Sequence, residues 1–146
     1  MLARRPLSEG EVAIRLAGKG VPPPEVSRTV ARLRELRLLD DESLCRQLAR
    51  SWQEGRRYGP AKIARNLAAR RFPRGMVEAA LREVASASAV AEAAVAALRK
   101  RFRDGIPPGR ENAARAYRFL AGRGFPPDVC RDAVGLRDFR NPEGDD

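Results

Sequence analysis

Histidine is absent from this 146-residue chain. Its absence excludes imidazole acid–base chemistry and histidine-ligated metal sites. Cysteine is nearly absent: Cys45 and Cys130 stand alone, with no Cys-x-x-Cys spacing. Both lie near apolar helical stripes, as buried, reduced thiols do. Aromatic residues are only 5% of the chain, so the core has to be built mainly from Leu, Val and Ala. No apolar run approaches the roughly 18 residues that a membrane span needs. No signal peptide is read ahead of the first helix. The expectation is a cytoplasmic chain with no membrane contact. No nucleophile–base pair, glycine-rich phosphate loop or metal-ligand spacing is found. Neither enzyme activity nor a cofactor is expected.

What the chain has in excess is arginine. Of 29 basic residues only Lys19, Lys62 and Lys100 are lysines, and the formal net charge is +10. Arginine forks match carboxylates and phosphates. A positive excess favours a polyanionic partner. The excess is uneven: residues 1–58 carry net +4, residues 59–104 net +6 and residues 105–146 net zero. The middle stretch is the expected electrostatic contact.

One helical unit is written three times. Leu16-Ala17-Gly18-Lys19-Gly20-Val21-Pro22 aligns with Leu67-Ala68-Ala69-Arg70-Arg71-Phe72-Pro73 and with Leu120-Ala121-Gly122-Arg123-Gly124-Phe125-Pro126. The copies lie 51 and 53 residues apart. Each ends a helix, stops, and opens a second helix at a proline. Repetition at this period means helical modules in series. The expected units are 1–58, 59–104 and 105–146.

Ser8-Glu9-Gly10-Glu11 is a capping-box pattern that opens the first helix. Gly20 supplies its left-handed stop. Val26, Val30 and Leu33 mark the inner face of the second helix. Asp40-Asp41-Glu42 cap a third, whose stripe is Leu44, Leu48 and Trp52. Arg71 replaces the stopping glycine of the other units and has to tolerate a left-handed backbone or stop the helix otherwise. The second unit continues with Ile63 and Leu67, then Val77, Ala80, Leu81 and Val84, then an Ala-rich helix from Ala89 to Phe102 capped by Ser86 or Ser88. The third shows Ala116, Tyr117 and Leu120, then Val129, Cys130, Ala133 and Val134. Arg137–Asp146 reads as a frayed tail, which leaves the last helix of that unit short or missing. The expectation is an all-α chain of eight helices without strands.

These motifs together resemble the RecX family of recombination regulators. The resemblance rests on Ser8-Glu9, Leu16, Lys19-Gly20, Leu39-Asp40-Asp41, Trp52, Tyr58-Gly59, Ile63, Leu67 and Leu120–Phe125. It spans residues 4 to about 136, nearly the whole chain. It implies three tandem three-helix repeats in an elongated, curved molecule. It also implies a role: binding the RecA recombinase and its filament on single-stranded DNA and modulating it, usually by inhibition. A monomer is expected. Contact with the DNA itself is left open. The competing reading is an independent helical DNA-binding protein that acts without RecA.

The densest basic stretch is Arg56, Arg57, Lys62, Arg65, Arg70, Arg71 and Arg74. Arg57, Lys62, Arg65, Arg70, Arg71 and Arg74 are the first candidates for a face toward DNA phosphate or an acidic RecA surface. Arg99, Lys100, Arg101 and Arg103 form a second group, which also suits the negative end of a helix dipole. Tyr58 is a candidate stacking residue. Trp52 continues an apolar stripe and reads as core.

Overall fold

The computed structural model describes residues 5–135, which fold into eight helices with no strand. The tail at Arg137–Asp146 lies outside the described residues. The helices are α1 (Glu9–Gly18), α2 (Pro23–Glu35), α3 (Asp41–Glu54), α4 (Pro60–Ala69), α5 (Arg74–Val84), α6 (Ala87–Arg101), α7 (Arg110–Gly122) and α8 (Pro127–Gly135).

The repeated motif is a repeated helix stop. Gly20, Arg71 and Gly124 have φ of 89°, 70° and 95°. In each copy the left-handed residue donates to the carbonyl three residues back: Gly20 to Ala17, Arg71 to Ala68, Gly124 to Ala121. The next residue donates five back: Val21 to Leu16, Phe72 to Leu67, Phe125 to Leu120. This is the Schellman pair, which satisfies orphan carbonyls at a helix end. Its apolar contact is present as well, because each of these leucines shares a core with the residue after the left-handed one.

Helix starts also follow sequence chemistry. Ser8 and Glu11 complete a reciprocal capping box at α1. Asp40 accepts from Ser43 N–H at α3, and Ser86 accepts from Ala89 N–H at α6. Asp41 behaves differently from its neighbours. It is buried and accepts from Glu9 N–H at 2.9 Å, so it caps α1 rather than its own helix.

The apolar side chains gather in three clusters. Val26, Val30 and Leu39 form one, with Val12, Leu16 and Leu33 beside them. Leu44, Cys45, Ala49, Ile63, Leu67, Phe72, Val77, Ala80 and Val84 form the second. The third runs from Val90 through Leu98, Ala116, Leu120 and Phe125 to Ala133. Packing therefore groups α1 with α2, α3 with α4 and α5, and α6 with α7 and α8. The repeat has the same period as in the sequence but is shifted by one helix. α3 turns forward because Leu44, Cys45 and Ala49 face α5, where Gln53 Nε2 donates to the Val84 carbonyl at 2.5 Å. In this grouping the last bundle has three helices among the described residues, and the two-helix group is the first.

Candidate protein and nucleic-acid interface

Two equivalent joints connect the units, and they decide which basic residues face outward. In each joint the start of a unit's hairpin docks on the left-handed turn of the next. At the first, Ser8 Oγ donates to the Arg70 carbonyl at 2.5 Å. At the second, Gly59 N–H donates to the Arg123 carbonyl at 2.8 Å and Ala61 N–H to the Gly124 carbonyl at 3.1 Å. Pro60 has no N–H and Gly59 no side chain, so the turn of the next unit caps α4.

The first joint contains a charge pair. Arg70 is only 8% exposed. It donates through Nε to Glu11 Oε2 at 3.1 Å and through Nη2 to Glu11 Oε1 at 2.9 Å and the Pro6 carbonyl at 2.5 Å. Burial raises the Glu11 carboxyl, but the Arg70 fork, the Ser8 N–H and the charge of Arg5 outweigh it and leave the group below its ordinary value. Beside it Glu9 is lowered, foremost by hydrogen bonds from Arg34 at 2.7 and 2.8 Å. Asp41 moves the other way: burial raises it against the Glu9 N–H it accepts. This acidic group is a capping network for helix starts. Among the described residues no cluster of three or more His, Cys, Asp or Glu could hold a metal.

The second joint holds aromatic and cationic groups. Lys62 Nζ lies 4.7 Å from the centroid of Tyr58, and Arg123 Cζ lies 5.2 Å from it. Arg123 also packs over Phe119 at 5.3 Å and donates to the carbonyls of Arg56 and Arg57. Tyr58 is half-buried, and its N–H donates to the Trp52 carbonyl at 3.1 Å. Trp52 packs against the second core.

The candidate residues fall into distinct places. Arg65, Arg71 and Arg74 are exposed on α4, its closing turn and the start of α5. Of these, Arg74 pairs with Glu78 one turn along at 3.2 Å, an exposed pair of small energetic weight. Arg70 is taken out of the outward set by its burial on Glu11. Lys62 points to Tyr58. Arg57 has φ 59° and lines a shallow cleft between α3 and α6 with Gln53, Glu54, Glu92 and Arg99. Arg99, Lys100 and Arg101 end α6, and Arg103 follows, all exposed. Arg101 lies 5.2 Å over Phe102. Arg123 is the residue that charge density missed. The 53-residue spacing from Arg70 reaches it directly.

No helix of the described residues is long and apolar enough to cross a membrane. Serial helical bundles, exposed arginines and one buried acid, Asp41, at a helix start define a helical-repeat protein. Comparison with known proteins names the group. Models of the first, second and third three-helix domains of RecX match residues 1–33, 40–81 and 90–134 in order. The latter two ranges begin close to α3 and α6, as the packing does. A regulatory protein RecX of Thermus thermophilus is 38% identical over 93% of this chain and 86% of its own length. One from Halorhodospira halophila is 34% identical over 99% of this chain and 88% of its own. The crystal structure of RecX from Lactobacillus salivarius shares the fold, with a TM-score of 0.77 at 20% identity over 92% of this chain and 87% of that one. The chain belongs to the RecX family of regulatory proteins.

Proposed function

We propose that the protein acts in the cytoplasm as a monomer, binding the RecA recombinase and lowering the activity of its filament on single-stranded DNA. The observation that carries this reading is the family match across all three bundles in order. The charge map supports it: net +6 over residues 59–104 suits a polyanionic nucleoprotein. Its outward part is Arg65, Arg71 and Arg74, with Lys100, Arg101 and Arg103 as a second group. The role is regulatory and the protein is not an enzyme.

The test is a titration of RecA's single-strand-dependent ATPase. The parent should inhibit it. Replacing Arg65, Arg71 and Arg74 together by Ala should weaken inhibition while helical content stays the same. Each screened contact is worth about 0.2–1 kcal/mol, so three are changed at once. Raised salt should mimic the change. Parent protein that leaves RecA activity untouched overturns the reading. A folded triple variant that inhibits like the parent moves the contact away from the middle unit.

A further inference from the structure

The two joints are built on equivalent positions but differ in charge. The 51-residue spacing carries Glu11 to Lys62, and the 53-residue spacing carries Arg70 to Arg123. At the first joint these positions make a carboxylate–guanidinium pair at 2.9 Å. At the second they place two cations on the one ring of Tyr58, at 4.7 and 5.2 Å. Neither Lys62 nor Arg123 has an ion-pair partner among the described residues. Both side chains belong to half-buried residues, where like charges are screened less than on open surface. The tyrosine face offsets part of that repulsion. A bound anion between the two cations would offset more, as the Glu11 carboxylate offsets Arg70 in the first joint.

We infer that this second joint is a phosphate site for single-stranded nucleic acid. The Lys62 ammonium and the Arg123 N–H groups not given to the Arg56 and Arg57 carbonyls supply the phosphate contacts. The half-buried Tyr58 ring lies under both cations and holds them together. The arrangement also continues. Phe119 lies under Arg123, its ring stands 6.2 Å from that of Phe102, and Arg101 covers Phe102. Cations held on aromatic rings thus recur from α4 across α7 to the end of α6, which suits a polymer better than a single ion. The identity of the strand, the one RecA coats, rests on the function proposed above; the phosphate site does not, so the test omits RecA.

The probe is a fluorescently labelled oligo-dT, its anisotropy followed against the full chain from low to moderate salt. Lys62→Glu rebuilds the pair of the first joint, so melting temperature should hold or rise. Affinity for oligo-dT should fall about tenfold, with a shallower salt dependence. Arg28→Glu, on the exposed face of α2, changes net charge equally and should lower affinity far less. Lys62→Gln gives a second, milder reading if the reversal perturbs folding. Folded Lys62 variants that bind like the parent, or an equal loss from Arg28→Glu, overturn the site. So does a parent that does not bind oligo-dT at low salt. Binding of polyglutamate instead of oligo-dT, with the same dependence on Lys62, would make the ligand an acidic protein segment and overturn the nucleic-acid assignment. RecA inhibition that persists without oligo-dT binding would remove this site and leave the proposed function standing.

Discussion

Arg71 takes a left-handed backbone directly against Gly10. A Cβ on Gly10 would lie 2.5 Å from Arg71 Cβ and 2.9 Å from its carbonyl oxygen. The second joint differs. There the turn carries the glycine, Gly124, and a Cβ on it would run into Lys62 N and lie 2.7 Å from Lys62 Cβ. Each joint thus has glycine where backbones approach: on the hairpin start, Gly10, in the first, and on both sides, Gly59 and Gly124, in the second. This explains how Arg71 stands where the other units have glycine: the room is made across the joint.

Gly10→Ala should therefore destabilise the protein by about 2 kcal/mol, through overpacking at the joint. Arg71→Gly should stabilise it by about 0.5 kcal/mol, since relief of left-handed strain slightly exceeds the added freedom of the unfolded chain. Urea denaturation followed by circular dichroism measures both. Equal tolerance of the two changes would show that the joint is loosely packed.

Gly20 and Gly124 separate backbone strain from crowding. Both have positive φ, but nothing lies within 4 Å of a Cβ on Gly20. Gly20→Ala should cost about 1 kcal/mol, the left-handed penalty alone. Gly124→Ala adds a collision with Lys62 and should cost about 3 kcal/mol. A difference near zero between the two melting curves would contradict the docking of α4 on this turn.

The local code of the fold was legible in the sequence, and the assembly was only partly so. Ser8, Asp40 and Ser86 announce helix starts, and Gly20 and Gly124 announce stops, because capping is settled within a few residues. The 51- and 53-residue spacings mark the hairpins. They do not say whether α3 and α6 pack backward or forward, because an amphipathic stripe fits either neighbour. The basic surface was legible as charge but not as exposure. Arg70 and Arg71 are adjacent, yet the first is buried on Glu11 and the second faces solvent. That distinction depends on a partner 59 residues away. Arg123 escaped notice because its neighbourhood carries no net charge, although the repeat points to it.

The two cysteines should be chemically silent. Burial raises Cys45 to about 11, with Asp41 adding to the shift and Arg46 opposing it. Cys130 is raised for the same leading reason. Sparse thiolate and no access make both slow nucleophiles. A thiol-reactive dye at pH 8 should label the native protein negligibly and both cysteines after denaturation. Fast labelling of folded protein would show that the cores of the second and third bundles open readily.

The Glu11–Arg70 pair should set the acid stability of the first joint. The Glu11 carboxyl is below its ordinary value of 4.5 in the folded chain. A lowered carboxyl adds stability above its unfolded value and loses it as pH falls through the folded one. Asp41, raised by burial, works in the opposite direction: its burial is least costly when it is protonated. Whole-protein acid curves mix the two, so the informative quantity is the difference between parent and Glu11→Gln. At pH 7 that difference should be about 2 kcal/mol, for charged hydrogen bonds replaced by neutral ones. It should begin to shrink as pH drops below 4.5 and be largely gone once Glu11 is protonated in the folded state. Added salt should change it little, because the two side chains are only 10% and 14% exposed. Denaturant midpoints at a series of pH values measure this directly. A difference that stays constant down to pH 2 would mean that Glu11 acts through packing rather than charge. The first joint would then owe its stability to Ser8, Gly10 and the Asp41 cap.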